Sequence, residues 1–245
     1  SYLPGRRQVL TRELVAHTLP AMPERPDAKR PAPGLADAQP SRSPAPDVRP
    51  DGRQGPNNAA PRPDACAVIL AAGLSSRMAG PLKPVLPLAG KTPLARLADT
   101  FRQAGLSDIL VAGGHRQAEV AAEAERLGLR FVFNPYYETG MFSTVKAALA
   151  AVPESCRRLL LTPADVPLFR PATVLRLLAR ADAPDAPPVL YPTFAGQRGH
   201  PPCLDAALIP AVLAYGGDDG LRAALAPFPQ AGAAVPDELI LADMD

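Results

Sequence analysis

The segment from Ala67 to Lys83 constrains the fold of this chain more than any other. It opens with a short apolar run, Ala67–Ala71, typical of a strand buried on both faces of a sheet. Gly73 and small residues follow, so the strand is expected to end in a tight turn whose backbone a ligand can approach closely. Beyond the turn come two serines, two cations and another glycine: Ser75, Ser76, Arg77, Gly80 and Lys83. This order predicts a ligand-binding loop at the end of a buried strand.

The two cations of the loop suit a polyphosphate. Arg77 offers a planar fork of donors to phosphate oxygens, and Lys83 adds a compact point charge. Together they can neutralise a triphosphate and the charge that builds on a departing pyrophosphate. The loop alone indicates a structural turn with solvated cations equally well, because neither a G-x-G-x-x-G fingerprint nor a Walker-type loop is present.

The segment from Leu70 to Lys83 resembles the signature loop of the molybdenum-cofactor nucleotidyltransferases, L-A-(A/G)-G-x-S-x-R-M-G-G-x-x-K. The spacing from Gly73 through Arg77 to Lys83 fits without a gap, and one departure is Ala79 in place of the first of two glycines. The resemblance implies that Arg77 and Lys83 act in catalysis. Ala72, where guanylyl enzymes of the family tend to have glycine, favours CTP. The nucleotide-binding residues that the resemblance implies in this loop are Leu70, Ala71, Ala72, Gly73, Ser75 and Ser76.

Composition limits the class of protein. The 245 residues are 47% hydrophobic, enough for one domain of about 180 residues with its own core. No apolar run approaches the roughly 18 residues of a membrane helix and no signal peptide is recognisable, so we expect a soluble protein without a membrane partner. The three cysteines form no C-x-x-C pair, which argues against a disulfide framework or zinc site and favours the cytoplasm.

The N-terminal quarter of the chain differs in composition from the rest. Residues 1–64 hold 13 of the 32 prolines and the excess of positive charge, so the remainder offers no broad basic surface for nucleic acid. We expect 1–64 to be an N-terminal tail and Pro-rich linker, largely disordered, apart from a short helix over 8–19. Residues 65–245 are then the nucleotidyltransferase domain.

Strand and helix patterns alternate through this domain. They predict an α/β fold with parallel strand pairing and right-handed crossovers. The resemblance implies the fuller architecture, a three-layer, Rossmann-like, open and mostly parallel twisted sheet with helices on both faces, as in nucleotide-diphospho-sugar transferases. Strands are expected over 67–71, 109–112, 131–133, 158–162, 189–193 and 238–242. Helices are expected from Pro93 to just before Gly105 and over 117–127, 144–152 and 171–180, with a short one after Gly220.

The segment that follows the third strand, 134–143, is expected to face the ligand crevice. Family members have an N-x(n)-G-x-x-S segment that lines the nucleotide site, and Asn134, Gly140 and Ser143 match it. A turn asparagine, a turn glycine and a helix N-cap at Ser143 are the structural alternatives.

Asp165 follows the fourth strand, between Pro163 and Pro167. A carboxylate on such a stiff backbone in the crevice is costly unless it binds a cation, which makes it the leading candidate for a Mg²⁺ ligand and catalytic residue. N-capping of the helix over 171–180 is the alternative that the residues alone leave open. The resemblance favours the metal, because the family has P-x-D-x-P here.

Two further segments match the family. Gly196–Pro201 resembles the G-x-x-G-H-P loop of its cytidylyl branch, which implies that Arg198 and His200 lie where the acceptor binds, although a lone histidine is more often structural. Gly216–Gly220 with Arg222 resembles a G-D-x-G-x-R stretch, for which an ordinary capped turn is an equal alternative.

The chain ends in Asp243, Met244 and Asp245, which resembles the start of a D-I-D-T-P-E-D segment. The resemblance implies that Asp243 and Asp245 supply the further carboxylate that binds the metal together with Asp165. We therefore expect the last strand to return beside the strand of Asp165, and the domain to be cut short at its C-terminus.

The ordered set of matches implies Mg²⁺-dependent transfer of CMP from CTP to a molybdopterin-type molybdenum cofactor, with release of pyrophosphate. Catalysis would rest on positioning and charge neutralisation without a covalent nucleophile. A molybdenum oxidoreductase that receives the product is an expected partner. Guanylyl transfer, transfer to another phosphate acceptor, and non-catalytic carriage of the cofactor are the alternatives.

Overall fold

A computed structural model describes residues 59–72, 83–87, 90–217 and 219–244. All of them belong to one compact unit that begins at residue 51. Of the expected tail, residues 1–64, only residues 59–64 are described. The helix expected over 8–19 lies outside the described residues. No described helix has the length and apolar character needed to cross a membrane.

The centre of the unit is an eight-stranded sheet. Its strands are β1 Ala65–Ala71, β2 Asp108–Gly113, β3 Arg130–Phe133, β4 Arg158–Pro163, β5 Val189–Phe194, β6 Gln197–Arg198, β7 Cys203–Asp205 and β8 Gln230–Ala234. The order is β3-β2-β1-β4-β7-β5-β6, with β8 paired to β5. Strands β1 to β4 are mutually parallel and β8 is parallel to β5, whereas β7 runs antiparallel to both β4 and β5.

Helices cover both faces of the sheet. They are α1 Pro93–Gln103, α2 Gln117–Arg126, α3 Met141–Leu149, α4 Pro171–Ala181, α5 Ile209–Ala214 and α6 Gly220–Leu225. Helices α1, α2 and α4 pack on one face in a core that includes Ile69, and α3, α5 and α6 pack on the other in a core that includes Val68. Every residue of β1 is buried, as its apolar sequence predicts. The predicted three-layer α/β fold is confirmed.

Local signals placed several elements correctly. The Thr92 hydroxyl accepts a hydrogen bond from the Ala95 amide at 3.1 Å, and Pro93 occupies the first turn of α1. Helix α6 begins at Gly220 as expected.

The prediction of a last strand over 238–242 is wrong. Residues Glu238–Leu241 form a 3₁₀ turn, in which Ile240 is fully buried while Glu238 and Leu241 are exposed. Asp237, just before the turn, is held against the start of α4, so the chain curls there instead of extending along the sheet.

The predicted start of α3 is also wrong. The helix begins at Met141, three residues earlier than predicted, and its N-cap is Gly140 at φ = +115° rather than Ser143. This positive φ is open to glycine at little cost, so the chain enters the helix earlier than the serine suggested. Strands β6, β7 and β8 were not predicted, because two are very short and Gln230–Ala234 contains no β-branched or aromatic residue.

Candidate active site at the ends of β1 and β4

The carboxyl ends of β1 and β4 lie side by side. Leu70 is in register with Pro163, and the Ala164 amide donates to the Leu70 carbonyl at 2.9 Å. Leu70, Ala71 and Ala72 are all buried. The segment that leads into the signature loop therefore starts directly beside the turn that presents Asp165.

A cavity of about 320 Å³ opens at this point. Four residues singled out from the sequence line it together: Asp165, Arg198, His200 and Asp243. Asp165, Arg198 and Asp243 are exposed, and His200 is half-buried. The remaining lining residues are Pro163, Val166, Gly199, Ile240 and Leu241.

The C-terminal segment is fixed against this cavity at two places. The Met244 amide donates to the Asp165 carbonyl at 2.8 Å, and the His200 amide donates to the Ile240 carbonyl at 2.9 Å. A Cβ at Gly199 would lie 2.5 Å from the Ile240 carbonyl oxygen, so only glycine permits this approach. The expected return of the chain beside Asp165 is confirmed, although as a helical turn.

The residues that line this cavity supply some, but not all, of the ligands that a divalent cation needs. Mg²⁺ is commonly held by one or two carboxylates, with substrate phosphates and water completing an octahedron, and Asp165 and Asp243 supply two carboxylates to one cavity. Within the described part of the chain, no cluster of three or more His, Cys, Asp or Glu side chains is arranged to hold a metal alone. Asp245 lies outside the described residues.

The side chain that accepts hydrogen bonds at the start of α4 is that of Asp237 and not that of Asp165. Its Oδ2 accepts hydrogen bonds from the Arg170 amide at 2.8 Å and from the Thr173 hydroxyl at 2.6 Å, and the side chain is only 2% exposed. The N-capping alternative for Asp165 is therefore not what the structure shows. Sequence reasoning missed Asp237, whose only signal was an aspartate after Pro236 in an otherwise apolar stretch.

His200 reaches the cavity from a mostly apolar surrounding. Burial lowers the pKa of its imidazole, while the charge of Asp165 and a hydrogen bond to the Leu161 backbone oppose that change. Its Nδ1 is buried and has no hydrogen-bond partner among the described residues. His200 therefore lines the cavity while its Nδ1 stays buried and without a partner among the described residues.

Arg198 is presented by a tight hairpin that sequence analysis treated as a loop. Ala195 and Gly196 both have positive φ, at 47° and 80°, as in the two-residue turns that suit the twist of a hairpin. The guanidinium of Arg198 lies over the Tyr191 ring, 4.7 Å from its centroid, and donates to Gln230 Oε1 at 3.0 Å. Tyr191 and Gln230 were not singled out from the sequence, because their roles depend on strand register.

The second predicted nucleotide segment lies around a different cavity, of about 470 Å³, whose lining includes Asn134 and Ser143. The Asn134 amide nitrogen donates to the Ser143 and Thr144 hydroxyls at 2.8 and 2.9 Å, and its oxygen accepts from the Tyr136 amide at 2.9 Å. Asn134 is 1% exposed, and through these hydrogen bonds it joins the loop after β3 to the first turn of α3. Gly140 caps that helix.

Several predicted residues fall outside what the structure describes: Gly73, Ser75, Ser76, Arg77 and Asp245. Lys83 begins a 3₁₀ turn, Lys83–Val85, but its side chain is not described.

Comparison with known proteins identifies the family. Residues 67–234 match the MobA-like NTP transferase domain. Nicotine blue oxidoreductase of Paenarthrobacter nicotinovorans is 32% identical over 171 residues, which cover 65% of this chain and 80% of that protein. The bifunctional protein GlmU of Azorhizobium caulinodans is 40% identical over 114 residues, 46% of this chain, and the match spans a quarter of that protein.

A solved structure shares the fold of this chain. The manganese complex of Rv0371c from Mycobacterium tuberculosis H37Rv superposes with a TM-score of 0.59 at 25% identity, over 70% of this chain and 88% of that one. The resemblance seen in the signature loop is thus confirmed. The chain belongs to the MobA-like NTP transferase family, which agrees with its resemblance to the molybdenum-cofactor nucleotidyltransferases.

Proposed function

We propose that this protein transfers CMP from CTP to a molybdopterin-type molybdenum cofactor in a Mg²⁺-dependent reaction. The observation that supports this most is the shared cavity of Asp165 and Asp243, beside the point where the signature segment leaves β1. Two carboxylates at the end of a parallel sheet, next to a loop with two cations, suit a metal-bound triphosphate.

In this reaction an oxygen of the acceptor phosphate attacks the α-phosphorus of CTP. The bond from that phosphorus to the oxygen bridging it to the β-phosphorus breaks, and pyrophosphate leaves with the electron pair. Bound Mg²⁺ would neutralise phosphate charge and orient the in-line groups. Arg77 and Lys83 are assigned to the charge that develops on pyrophosphate, so no covalent nucleophile is needed.

Asp165, Asp243 and Asp245 are the proposed metal ligands. The manganese in the Rv0371c complex supports divalent metal chemistry in a relative of this fold. The choice of Mg²⁺ follows from the preference of that ion for carboxylates together with substrate phosphates.

The nucleotide is assigned to the segment from Leu70 to Ser76, with Asn134, Gly140 and Ser143 shaping the adjacent loop. Ala72 is buried, and its Cβ would lie 2.9 Å from a Cβ placed on Gly114, so the β1 and β2 ends pack tightly there. A glycine at position 72 would open this contact. That difference supports CTP over GTP, because a purine needs more room than a pyrimidine.

The acceptor is assigned to the side of the cavity formed by Arg198 and His200. The relatives differ in the activities that their names state, so the family alone does not choose the acceptor. The same proposal divides the chain into a tail, residues 1–64, and a catalytic domain, residues 65–245. It also places the protein in the cytoplasm, where the three buried thiols stay reduced.

The nucleotide assignment is tested by thermal shift. CTP with Mg²⁺ should raise the melting temperature more than GTP, ATP or UTP, since a ligand that binds only the folded state stabilises it. Ala72→Gly should narrow the difference between CTP and GTP, and Gly216→Ala, at an open glycine, serves as the matched control. Equal or greater stabilisation of the unmodified protein by GTP would overturn the cytidylyl assignment.

A further inference from the structure

The six residues that precede β1 lie against the end of α1. The Arg62 amide donates to the Gly105 carbonyl at 2.8 Å, and the Ala59 amide donates to the Gln103 carbonyl at 3.3 Å. Gln103 is the last residue of α1, and the last carbonyls of a helix have no partner within the helix itself. Residues 59–64 therefore form a strap that is hydrogen-bonded to the end of this helix.

Gly105 lets the strap approach α1 closely. Its φ of +88° is that of a glycine that ends a helix, and this conformation alone would explain its presence. A Cβ at this position would, however, overlap the Ala60 carbonyl oxygen and lie 3.2 Å from the Ala60 carbonyl carbon. The contact with the strap therefore excludes a side chain at position 105 for a second, independent reason.

Arg62 also connects the strap to α4. Its guanidinium lies 3.0 Å from the Asp64 carboxylate and 3.1 Å from that of Asp182, the residue that follows α4. Arg158, at the start of β4, pairs with the same Asp182 at 3.5 Å and with Asp205 at 2.9 Å. The Arg62 side chain is only 21% exposed, so solvent screens its ion pairs less than those of an exposed arginine. A network of charges thus links the strap to α4 and β4.

The strap ends where the central strands begin. The Asp64 carbonyl accepts hydrogen bonds from the Arg157 and Arg158 amides at 2.7 and 3.1 Å, and the Ala65 amide donates to the Arg62 carbonyl at 3.1 Å. These contacts lie at the amino ends of β1 and β4, whereas the candidate active site opens at their carboxyl ends. The strap therefore acts on the packing of the domain and not on the reaction cavity.

We propose that residues 59–64 are a structural strap that locks the ends of α1 and α4 together, so that the catalytic unit begins before β1. The two helices pack in one core on the same face of the sheet, and the strap contacts both of them outside that core. The proposal does not depend on the reaction that the domain catalyses.

The two prolines of the strap suit this role. Pro61 and Pro63 have no amide that needs a partner, and they restrict the chain before it docks, which lowers the entropy that docking costs. Composition groups residues 59–64 with the Pro-rich tail, whereas their contacts assign them to the folded domain.

Hydrogen exchange of the full chain, followed at single amides by NMR, tests whether the strap is docked. The Arg62 amide should exchange about tenfold more slowly than in a free peptide of residues 59–64, because it is bonded to the Gly105 carbonyl. Gly105→Ala should remove this protection by displacing the strap. An Arg62 amide that exchanges at the free-peptide rate in the wild type would overturn the proposal.

Gly128→Ala is the matched control for Gly105→Ala. Gly128 follows α2 with a φ of +65°, so alanine is strained there as it is at position 105, but a Cβ would make an ordinary contact with Arg102 Nη2 at 3.9 Å. This variant should lose stability and still protect the Arg62 amide. The same Arg62 exchange rate in the two variants would mean that position 105 has no particular contact with the strap, which would contradict the proposal.

A double-mutant cycle in urea unfolding of the full chain tests the link to α4. Arg62→Gln and Asp182→Asn, made singly and together, should be coupled by about threefold or more in the unfolding equilibrium constant, because either change breaks the same pair. Arg180→Gln and Asp185→Asn, at a pair whose aspartate is 82% exposed, should be coupled by less than about twofold. Additive effects of Arg62→Gln and Asp182→Asn would overturn the claim that the strap locks α4 to α1.

Discussion

The main-chain amide of Met244 donates a hydrogen bond to the carbonyl oxygen of Asp165 at 2.8 Å. This bond joins two segments about 80 residues apart and places Asp243, the neighbour of Met244, at the cavity that Asp165 lines. Backbone contact thus sets the position of the second carboxylate.

Removing either carboxylate should act on metal use and not on folding. Asp165→Asn is expected to abolish Mg²⁺-dependent pyrophosphate release, because its carboxylate is the proposed metal ligand on the turn after β4. Asp243→Asn should weaken activity and raise the Mg²⁺ concentration needed for half-maximal rate. Asp185→Asn, at an exposed surface ion pair, is the control. Unchanged Mg²⁺ dependence in Asp243→Asn would place the metal elsewhere.

Gly199→Ala tests whether the close approach of the C-terminal turn matters. The added Cβ would meet the Ile240 carbonyl oxygen at 2.5 Å and its side chain at 2.6 Å, so the turn must move away. We expect lower thermal stability and, like Asp243→Asn, a higher Mg²⁺ requirement, both measured against Gly216→Ala, which has open space around it. Wild-type values for both quantities would show that the turn tolerates displacement.

Asp237→Ala should act on stability and not on metal use. It removes the acceptor for the Arg170 amide and the buried Thr173 hydroxyl and leaves both without that partner. Loss of a cap together with an unsatisfied buried donor is expected to lower the free energy of unfolding by about 2 to 4 kcal/mol in urea titrations. Asp185→Ala should change it by less than about 0.5 kcal/mol. A small effect in Asp237→Ala would mean that water satisfies these donors.

The lowered pKa of His200 gives a pH dependence with a defined sign. As pH falls below about 6.5, the ordinary histidine pKa, the unfolded chain binds a proton at this residue before the folded one does. The contribution of His200 to stability is therefore full above that pH and is lost as pH falls through the lowered pKa. His200→Gln should show a shallower fall in melting temperature between pH 7.5 and 5.5 than the wild type. Parallel curves of melting temperature against pH for the two proteins would show that His200 has the same pKa in the folded protein as in the unfolded chain.

The sequence predicted the parts of the fold whose signals are local. The apolar run of β1, the Thr92 cap with Pro93, and the glycine that ends α1 each fix an element through neighbouring residues. Glu238–Leu241 was misjudged because its continuous apolar run suits a strand, whereas its conformation follows from a distant contact between Asp237 and the start of α4.

The same distinction applies to the candidate site. Asp165, Arg198, His200 and Asp243 were found through matched motifs, and the structure brings them to one cavity. Tyr191 and Gln230 could not be found in this way, because β5 and β8 are about 40 residues apart and only their parallel pairing brings the two side chains to Arg198.

The central claim is that this protein transfers a cytidylyl group with metal held at Asp165. Pyrophosphate release from each of CTP, GTP, ATP and UTP, with Mg²⁺ and molybdopterin, tests it most directly. The account predicts release that is fastest with CTP, requires both Mg²⁺ and molybdopterin, and is lost in Asp165→Asn. Fastest release with another nucleotide, or tight binding of molybdopterin without any pyrophosphate release, would contradict it.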